Sequence, residues 1–469
     1  ACGGIGQPPC IPPSPDAHIA DIAHERGADA GVDVPPDVDA GVAASTADDT
    51  VTALDAAEAA DSTGPSEPAD TSSPSVTGPA FYRAGQVHSP ITKHVAKRWS
   101  EIRANGPKLQ DKVFMKVGAS STVSSKTLAC FAYSKVNLGK HGHLKATLEH
   151  FLAGDAAGKT PFNRKTMAAK SGHTAKWVLS GSPSPLQAET KLISPSLAFV
   201  HYGTNDMGMG STYLSAMPGF YRSMMKLCHQ LIAQGIVPML TGISPRKDKK
   251  AANRWVATYN AVIRGMAQHF QVPFFDLHFA TKDIPNHGMG GDGIHLNGYK
   301  GGSCVLTETG LKHGYNVRNL IALELLDRLR RVLLLGETAL DKEAPGPVGL
   351  GTVASPLTIE QLPFTDTRDT LADGQDQIDT YPGCQSNADE SGREVLYRLV
   401  LKEPKAIRAV VLHDSGVDVD IHLLDKSAAG SGCLKRDNRS VQGSLAPGTY
   451  HLAVDTFVKN GTPLGGEYL

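Results

Sequence analysis

Between residues 81 and 337, short apolar runs alternate with longer stretches whose apolar residues recur at helical spacing. Four of the short runs end in glycine, aspartate or a polar loop, as strands buried in a parallel sheet do. These runs predict strands at residues 112–117, 197–202, 236–241 and 272–276.

Three of the longer stretches are predicted to be helices. One extends from about residue 220 to residue 234 and ends before Gly235, a residue type that commonly follows the last helical turn. Another covers roughly residues 317–335. Alternating strands and helices predict a parallel sheet covered on both faces, with the active site at the carboxyl ends of the strands. The third helix carries six apolar residues on one stripe: Trp255, Tyr259, Val262, Ile263, Met266 and Phe270.

The periodicity changes after residue 365. Short strands that alternate in polarity and are separated by turns predict a small β-sandwich at residues 366–469. Residues 338–365 contain Pro and Gly and are predicted to be a linker. The strands of the sandwich are predicted at residues 396–401, 409–413, 419–424 and 449–457.

Residues 1–80 contain no aromatic residue and are rich in Ala, Asp, Pro, Ser and Thr. Such a segment cannot bury enough apolar surface to offset the entropy of ordering, so we expect a disordered tether. It begins Ala1-Cys2-Gly3-Gly4, which resembles the end of a bacterial lipobox. This resemblance implies that Cys2 is lipidated and tethers an extracytoplasmic protein to the bacterial cell surface. The alternatives are a secreted protein and a sequence that starts at an arbitrary point.

The formal net charge of −1 hides an uneven distribution of charges. Residues 1–80 have 14 acidic residues and one basic residue, and residues 81–345 have 34 basic and 16 acidic residues. The lysines of this basic middle are scattered, apart from RKDKK at 246–250, and aromatic residues are not interleaved with them. We therefore expect no nucleic-acid partner. No run of about 18 uncharged apolar residues occurs, so no transmembrane helix is predicted.

The chain has seven cysteines. If Cys2 carries lipid, six remain, and Cys384 and Cys433 could form a disulfide in an oxidising compartment. Cys130 and Cys228 fall in predicted helices and are interpreted as small buried hydrophobic residues. No CxxC pair occurs, so we expect no structural metal, and nothing indicates a cofactor.

Residues suited to acyl transfer follow the predicted strands. Ser120, in the sequence GASST, could cap a helix or act as a nucleophile. A hydrolytic serine needs a base, a carboxylate that orients the base, and donors for the oxyanion. In GDGIHLNGY at 291–299, Asp292 is close enough to His295 to hold its Nδ1–H. The Nε2 atom of His295 is then free to face a serine.

Two further stretches could supply oxyanion donors. Asn205 lies in GTND, directly after the strand that ends at Tyr202, and Gly172 lies in SGHTA, just before a predicted helix. Gly139 is an alternative to Gly172, although it comes earlier than a second strand would permit. Ser121 is an alternative nucleophile.

Taken in order, the blocks GAS, SGHTA, GTND and DGIH resemble the four blocks of the SGNH (GDSL-type) hydrolase superfamily. The resemblance implies a flavodoxin-like three-layer α/β/α sandwich at residues 81–337. It also implies a triad of Ser120, His295 and Asp292. The oxyanion would be held by the backbone N–H groups of Ser120 and Gly172 and by the Asn205 side chain.

One position departs from the family pattern, because Ala119 stands where an aspartate usually precedes the nucleophile. That aspartate is generally not the triad acid, so we expect activity with an altered local network. The resemblance implies a serine esterase acting on carboxylic esters, including acetyl groups on polysaccharides. An acyltransferase and a catalytically inactive surface- or polysaccharide-binding protein are the alternatives, and only Ala119 favours the inactive protein.

The C-terminal region resembles bacterial pre-peptidase C-terminal domains in the stretches GREVLYRLVL, VDVDIHLL and LAPGTYHLAVDTF. This resemblance implies an accessory module for secretion or for attachment to surfaces. Asp418 and Asp420 could bind Ca²⁺, but acidic residues that face solvent from a strand are the commoner explanation.

Overall fold

The computed structural model describes residues 78–133, 135–385 and 388–469. Cys2 and nearly all of the predicted disordered tether lie outside these residues. The described residues belong to one compact unit. None of their helices is long and apolar enough to cross a membrane.

A parallel sheet lies at the centre of residues 81–337. Its four strands are β1 (Gln110–Gly118), β2 (Pro195–His201), β3 (Val237–Thr241) and β4 (Phe274–Phe275). They lie in the order β1-β2-β3-β4, and Ala169 adds one parallel bridge to Gly118. After β1, the chain therefore pairs briefly with β1 at Ala169 before it continues to β2, which also pairs with β1. Such a change of direction is typical of doubly wound sheets. All four predicted strands are confirmed, although the last is only two residues long.

Helices cover both faces of this sheet. They are α1 (Lys93–Ala104), α2 (Ser120–Val123), α3 (Lys145–Leu152), α4 (Ala175–Val178), α5 (Pro185–Ile193), α6 (Tyr213–Ala233), α7 (Lys250–Phe270), α8 (Leu277–Ala280) and α9 (Gly314–Leu333). α1 and α3 contact α9, whereas α4 contacts α5 and α6, and α6 contacts α7. The α/β/α sandwich is confirmed. α6 begins earlier than predicted because Thr212 and Ser215 form a capping box at its N-terminus.

The C-terminal region is built from short strands. They are β5 (Leu357–Ile359), β6 (Arg368–Asp369), β7 (Glu394–Leu401), β8 (Lys405–Val410), β9 (Val419–Leu424), β10 (Cys433–Asp437), β11 (Ser440–Leu445), β12 (Gly448–Thr456), β13 (Val458–Lys459), β14 (Thr462–Pro463) and β15 (Glu467–Tyr468), with one short helix, α10 (Thr370–Asp373). Five strands form a mixed sheet in the order β10-β9-β12-β7-β5, and β8 pairs separately with β11.

Two sequence predictions for this region differ from the structure. Residues 357–359, within the predicted linker, form β5 and pair in parallel with β7. The strand predicted at 409–413 is displaced toward the N-terminus, because β8 pairs with β11 from Lys405 to Val410. Both differences depend on partner strands elsewhere in the chain.

Both faces of the five-stranded sheet contain buried residues. Ile421 and Val454 lie on one face, in an apolar cluster. Asp420 and His422 alternate with them, and Tyr381 covers the second face by stacking on His422 with ring centroids 3.6 Å apart. The prediction that Asp420 faces solvent is therefore wrong, since the residue is only 3% exposed.

Two disulfides are present among the described residues. Cys384 and Cys433 are bonded, which is the pairing that the sequence suggested, and Cys228 is a buried free thiol. The interpretation of Cys130 as an unpaired hydrophobic residue is wrong, because it is bonded to Cys304.

The Cys130–Cys304 pair is 174 residues apart in sequence, so no local pattern could indicate it. Asn319 of α9 holds the two segments together. Its side-chain amide donates to the carbonyl oxygens of Lys126 and Ser303, at 2.9 and 3.0 Å.

The C-terminal strands pack against α7. The Arg408 guanidinium lies 3.6 Å from the centroid of the Trp255 ring. A Cβ atom added to Gly265 would come within 2.7 Å of the Leu469 side chain, so the end of the chain packs directly on the helix backbone.

Candidate active site

Ser120 is the first residue of α2, directly after β1. A Cβ atom added to Gly118 would lie 2.2 Å from Thr122 Oγ1 and 2.8 Å from the His201 carbonyl oxygen. Because only glycine fits there, β1 and β2 stay close up to the residue at which the chain turns into α2. The turn presents Ser120 at the carboxyl edge of the sheet.

Two hydrogen bonds join Ser120, His295 and Asp292. His295 Nε2 lies 2.8 Å from Ser120 Oγ, and His295 Nδ1 lies 2.6 Å from Asp292 Oδ2. Asp292 Oδ1 also accepts hydrogen bonds from the backbone N–H groups of Ile294 and His295, at 3.0 and 2.9 Å. The loop thus holds one carboxylate oxygen in place, and the other orients the imidazole ring.

The charge of Asp292 is stabilised by the same contacts. The hydrogen bond with the His295 side chain, followed by the two backbone hydrogen bonds, lowers the pKa of Asp292 to about 2. The carboxylate is therefore ionised at neutral pH. The side chains of His295 and Asp292 are 37% and 51% exposed, so the pair is open to solvent.

Asn205 also lies beside the serine, and its amide donates a 2.9 Å hydrogen bond to the His173 carbonyl oxygen. Asn205 and Ser120 line one small cavity, of about 10 Å³. Gly172 does not line that cavity; it precedes His173 in an exposed loop, with a φ of 75°. The structure thus brings Asn205 to Ser120, and it ties the loop that contains Gly172 to Asn205.

Asp206, which was not among the residues predicted from sequence, joins these two loops. Its carboxylate accepts hydrogen bonds from the backbone N–H groups of Ala175 at 2.8 Å and Gly203 at 3.0 Å. Burial raises the pKa of Asp206 to about 6, although backbone hydrogen bonds oppose this effect. Its position after Asn205 in GTND was the available signal.

The basic RKDKK segment at 246–250 also contacts the site. Arg246 donates to the Thr204 carbonyl oxygen at 3.2 Å and forms a 2.7 Å ion pair with Asp248. The Lys247 N–H donates to the Gly293 carbonyl oxygen at 2.8 Å. This segment therefore links the loop that contains Asn205 to the loop that contains His295.

Three basic side chains are buried behind the serine. Arg318 donates to the Ser121 carbonyl oxygen at 2.8 Å, and burial lowers the pKa of its guanidinium to about 10. Lys116 donates to the Phe162 carbonyl oxygen at 2.7 Å, and burial, assisted by the charge of Arg318, lowers its pKa to about 8. Burial and the charge of Arg318 also keep the pKa of His201 well below its ordinary value. Ala119 brings no carboxylate to this basic cluster.

His295 lines a second, larger cavity of about 280 Å³. It is lined by Ser124, Lys126, Tyr315 and residues of the loop that contains Asp292. Ser120 therefore lines a very small cavity, and His295 lines a much larger one.

The alternatives raised from sequence are placed differently. His295 bonds to Ser120, whereas the backbone of Ser121 accepts the hydrogen bond from Arg318. Gly139 packs against the Leu306 carbonyl oxygen. Within residues 78–133, 135–385 and 388–469, no group of three or more His, Cys, Asp or Glu side chains could hold a metal ion.

Comparison with known proteins gave one family match. Residues 138–299 match the model of the GDSL-like Lipase/Acylhydrolase family. This range includes Gly172, Asn205, Asp292 and His295, and it begins after Ser120. A search of curated proteins found no match.

Several solved structures align with about half of the chain. A GDSL-like lipase from Bacteroides thetaiotaomicron is 17% identical, with 50% of this chain and 98% of that chain covered and a TM-score of 0.31. A psychrotrophic esterase from Pseudoalteromonas sp. is 15% identical, with 48% and 99% covered and a TM-score of 0.30. A catalytic mutant of an acetylxylan esterase from Geobacillus stearothermophilus is 13% identical, with 49% and 96% covered and a TM-score of 0.31.

The family match and the α/β/α fold agree with each other. Residues 138–299 are therefore similar to the GDSL-like Lipase/Acylhydrolase family, and this similarity supports a hydrolase.

Proposed function

We propose that the protein is a serine hydrolase that cleaves carboxylic esters by means of Ser120, His295 and Asp292. The observation that carries this proposal is the unbroken chain of two hydrogen bonds from Ser120 Oγ through the imidazole to the Asp292 carboxylate. A serine, a base and an orienting acid in this arrangement are what acyl transfer requires.

In the first half of the reaction, His295 Nε2 takes the hydroxyl proton as Ser120 Oγ attacks the ester carbonyl. Asp292 stabilises the imidazolium that forms. The oxyanion would accept hydrogen bonds from the backbone N–H groups of Ser120 and Gly172 and from the Asn205 amide. The imidazolium then gives its proton to the departing alkoxide, and an alcohol leaves.

In the second half, a water molecule gives a proton to His295 and attacks the acyl group on Ser120. Collapse of the tetrahedral intermediate returns the proton to Ser120 Oγ and releases the carboxylic acid. If another alcohol replaces the water molecule, the same steps transfer the acyl group to it, so product analysis separates a hydrolase from an acyltransferase.

For the substrate we propose short acyl groups, with acetyl esters of carbohydrates among them. The cavity that Ser120 shares with Asn205 is only about 10 Å³ and favours a small acyl group. The 280 Å³ cavity beside His295 could hold a larger alcohol portion.

We also propose an extracytoplasmic protein, either secreted or held at the bacterial surface through lipidated Cys2. The two disulfides support an oxidising compartment. In this proposal residues 81–337 form the hydrolase domain, and residues 366–469 form an accessory domain for attachment.

The test is labelling with a fluorophosphonate probe, followed by peptide mapping. The wild-type protein and Ser121→Ala are expected to be labelled at Ser120, whereas Ser120→Ala is expected to remain unlabelled. A folded wild-type protein that takes no label would overturn the proposal in favour of an inactive binding protein. Labelling at Ser121 instead would show that Ser121, and not Ser120, is the nucleophile.

A further inference from the structure

A cavity of about 440 Å³ lies between α7 and the C-terminal strands. It shares no lining residue with the cavities beside Ser120 and His295. It exists because the five-stranded sheet faces a second layer of only two strands, β8 and β11. Two strands cannot cover the apolar face of five, and the remaining space is closed by α7 and by residues 362–366.

The interior of this cavity is apolar. Ile421, Leu452 and Val454 line it from the sheet, and Ala261 and Val262 line it from α7. Its volume is in the range of cavities that hold small organic ligands, which is about 300–1,000 Å³. An apolar space of this size favours an alkyl chain over water.

The mouth of the cavity is basic. Arg254 and Lys405 are exposed lining residues, and Arg408 is a half-buried one. Lys405 lies 3.6 Å from the Glu403 carboxylate, an exposed ion pair of small energetic weight.

Arg408 differs from Lys405 because its hydrogen-bond partners are neutral. It donates to the Arg254 carbonyl oxygen at 3.3 Å, to Thr258 Oγ1 at 3.0 Å and to Gln442 Oε1 at 3.5 Å. Among the residues that the structure describes, no carboxylate forms an ion pair with it. A partly buried guanidinium at the mouth of an apolar cavity is suited to an anionic group on a ligand.

The lining also includes Tyr397 and Tyr468, whose hydroxyl groups are 2.8 Å apart, and Asp366. Asp366 pairs with Arg368 at 2.9 Å. Arg368 is thus already paired with Asp366, whereas Arg408 has no carboxylate partner among the described residues, so the charge of an amphipathic anion is better placed at Arg408.

We propose that this cavity binds a carboxylate with a single long alkyl chain. The chain fills the space between α7 and the sheet, and the carboxylate pairs with Arg408. This site is separate from Ser120, so the inference does not depend on the proposed esterase function.

The test is calorimetric titration of the full-length Ser120→Ala protein with octanoate, decanoate, dodecanoate and dodecanol. Each added methylene is expected to lower Kd about fourfold until the cavity is full. Dodecanoate is expected to bind at least about tenfold more tightly than dodecanol, because only the acid pairs with Arg408.

Two variants locate the site. Ala261→Phe fills the cavity and is expected to abolish binding, whereas Ala251→Phe, on an exposed turn of the same helix, leaves Kd unchanged. Arg408→Gln is expected to remove the preference for dodecanoate over dodecanol, and Arg398→Gln, on a strand residue outside the cavity, leaves the preference intact. Thermal unfolding checks that each variant is folded.

Three results would overturn the inference. They are no saturable binding of dodecanoate to the folded protein, equal affinity for the acid and the alcohol, and binding that survives in Ala261→Phe. Fluorophosphonate labelling of Ser120 in the wild-type protein is a separate readout, so failure here and failure of the proposed function are distinguishable.

Discussion

The α/β region and the C-terminal strands each contain a histidine close to a carboxylate, with opposite surroundings. His295 is partly exposed, and its two ring nitrogens bond to Ser120 and Asp292. His422 is fully buried against Tyr381, and its nearest acidic partner, Glu390, is 3.7 Å away, too far for a hydrogen bond. In this protein, a histidine near an acidic residue is therefore a candidate catalytic base only where an accessible hydroxyl group completes the hydrogen-bonded chain.

Replacing the two histidines should separate chemistry from packing. His295→Gln is expected to lower kcat for ester hydrolysis by roughly 10⁶-fold, because it removes the base, and to leave stability nearly unchanged. His422→Gln is expected to keep kcat within a few-fold but to lower the free energy of unfolding by about 1–3 kcal/mol. Steady-state kinetics and urea unfolding measure both effects. Loss of activity in folded His422→Gln would contradict the prediction that His422 contributes to packing and not to catalysis.

Asp292 and Asp420, one acidic residue from each region, provide the second comparison. Asp292→Asn is expected to lower kcat by roughly 10²- to 10⁴-fold, since the amide no longer holds the imidazole in the required tautomer. Asp420→Asn removes the negative charge from a 2.7 Å ion pair with Arg436, so it should affect unfolding and not kcat. The opposite result, with Asp420→Asn inactive and Asp292→Asn active, would refute the assignment of the triad acid.

The two disulfides should differ in their effect on stability. Replacing either pair by serines is expected to lower the free energy of unfolding by about 2–4 kcal/mol. The loss should be roughly 1 kcal/mol larger for Cys130–Cys304, which closes 174 residues, than for Cys384–Cys433, which closes 49. Denaturant unfolding of the two double variants provides the measurement. Equal losses would mean that loop length does not set the difference.

The smallest expected effect is a pH dependence of stability in both regions. Burial raises the pKa of Asp206 to about 6 and that of Glu394 to about 7. Both carboxyl groups bind a proton more tightly in the native than in the unfolded chain. Their contributions to the free energy of unfolding are therefore largest in acid and fall as the pH rises from about 4 toward those pKa values.

Between about pH 4 and those pKa values, the free energy of unfolding of the wild-type protein should fall by roughly 1–3 kcal/mol relative to that of Asp206→Asn and to that of Glu394→Gln. Unfolding measured at several pH values tests this slope. Activity distinguishes the two variants, because only Asp206 ties together the loops beside Asn205. A pH-independent difference between wild type and both variants would contradict the assigned protonation.

Much of the α/β region could be predicted because its information is local. β1, β2 and β3 follow from apolar runs that end at polar loops, and the stripe on α7 follows from helical spacing. The positions of Ser120 and Asn205 follow from the same pattern, because parallel strands bring the loops at their carboxyl ends to one edge. His295 is indicated instead by its spacing from Asp292 in a Gly-rich loop, since β4 already ends at Phe275.

The remaining features depend on contacts between distant segments. The Cys130–Cys304 bond, the bounds of β8 and the burial of Asp420 each depend on a partner far away in the sequence. The same holds for Arg318, which reaches the Ser121 carbonyl oxygen across 197 residues.

Short stretches of the sequence are enough to predict the order of strands and helices and the polar residues that follow the strands, because periodicity and strand ends are local properties. Which faces are covered depends on tertiary packing. That packing buries residues on both faces of the C-terminal sheet, leaves a cavity beside α7, and brings Asp206 and Arg246 to the site. These outcomes depend on how whole elements pack, which no single stretch encodes.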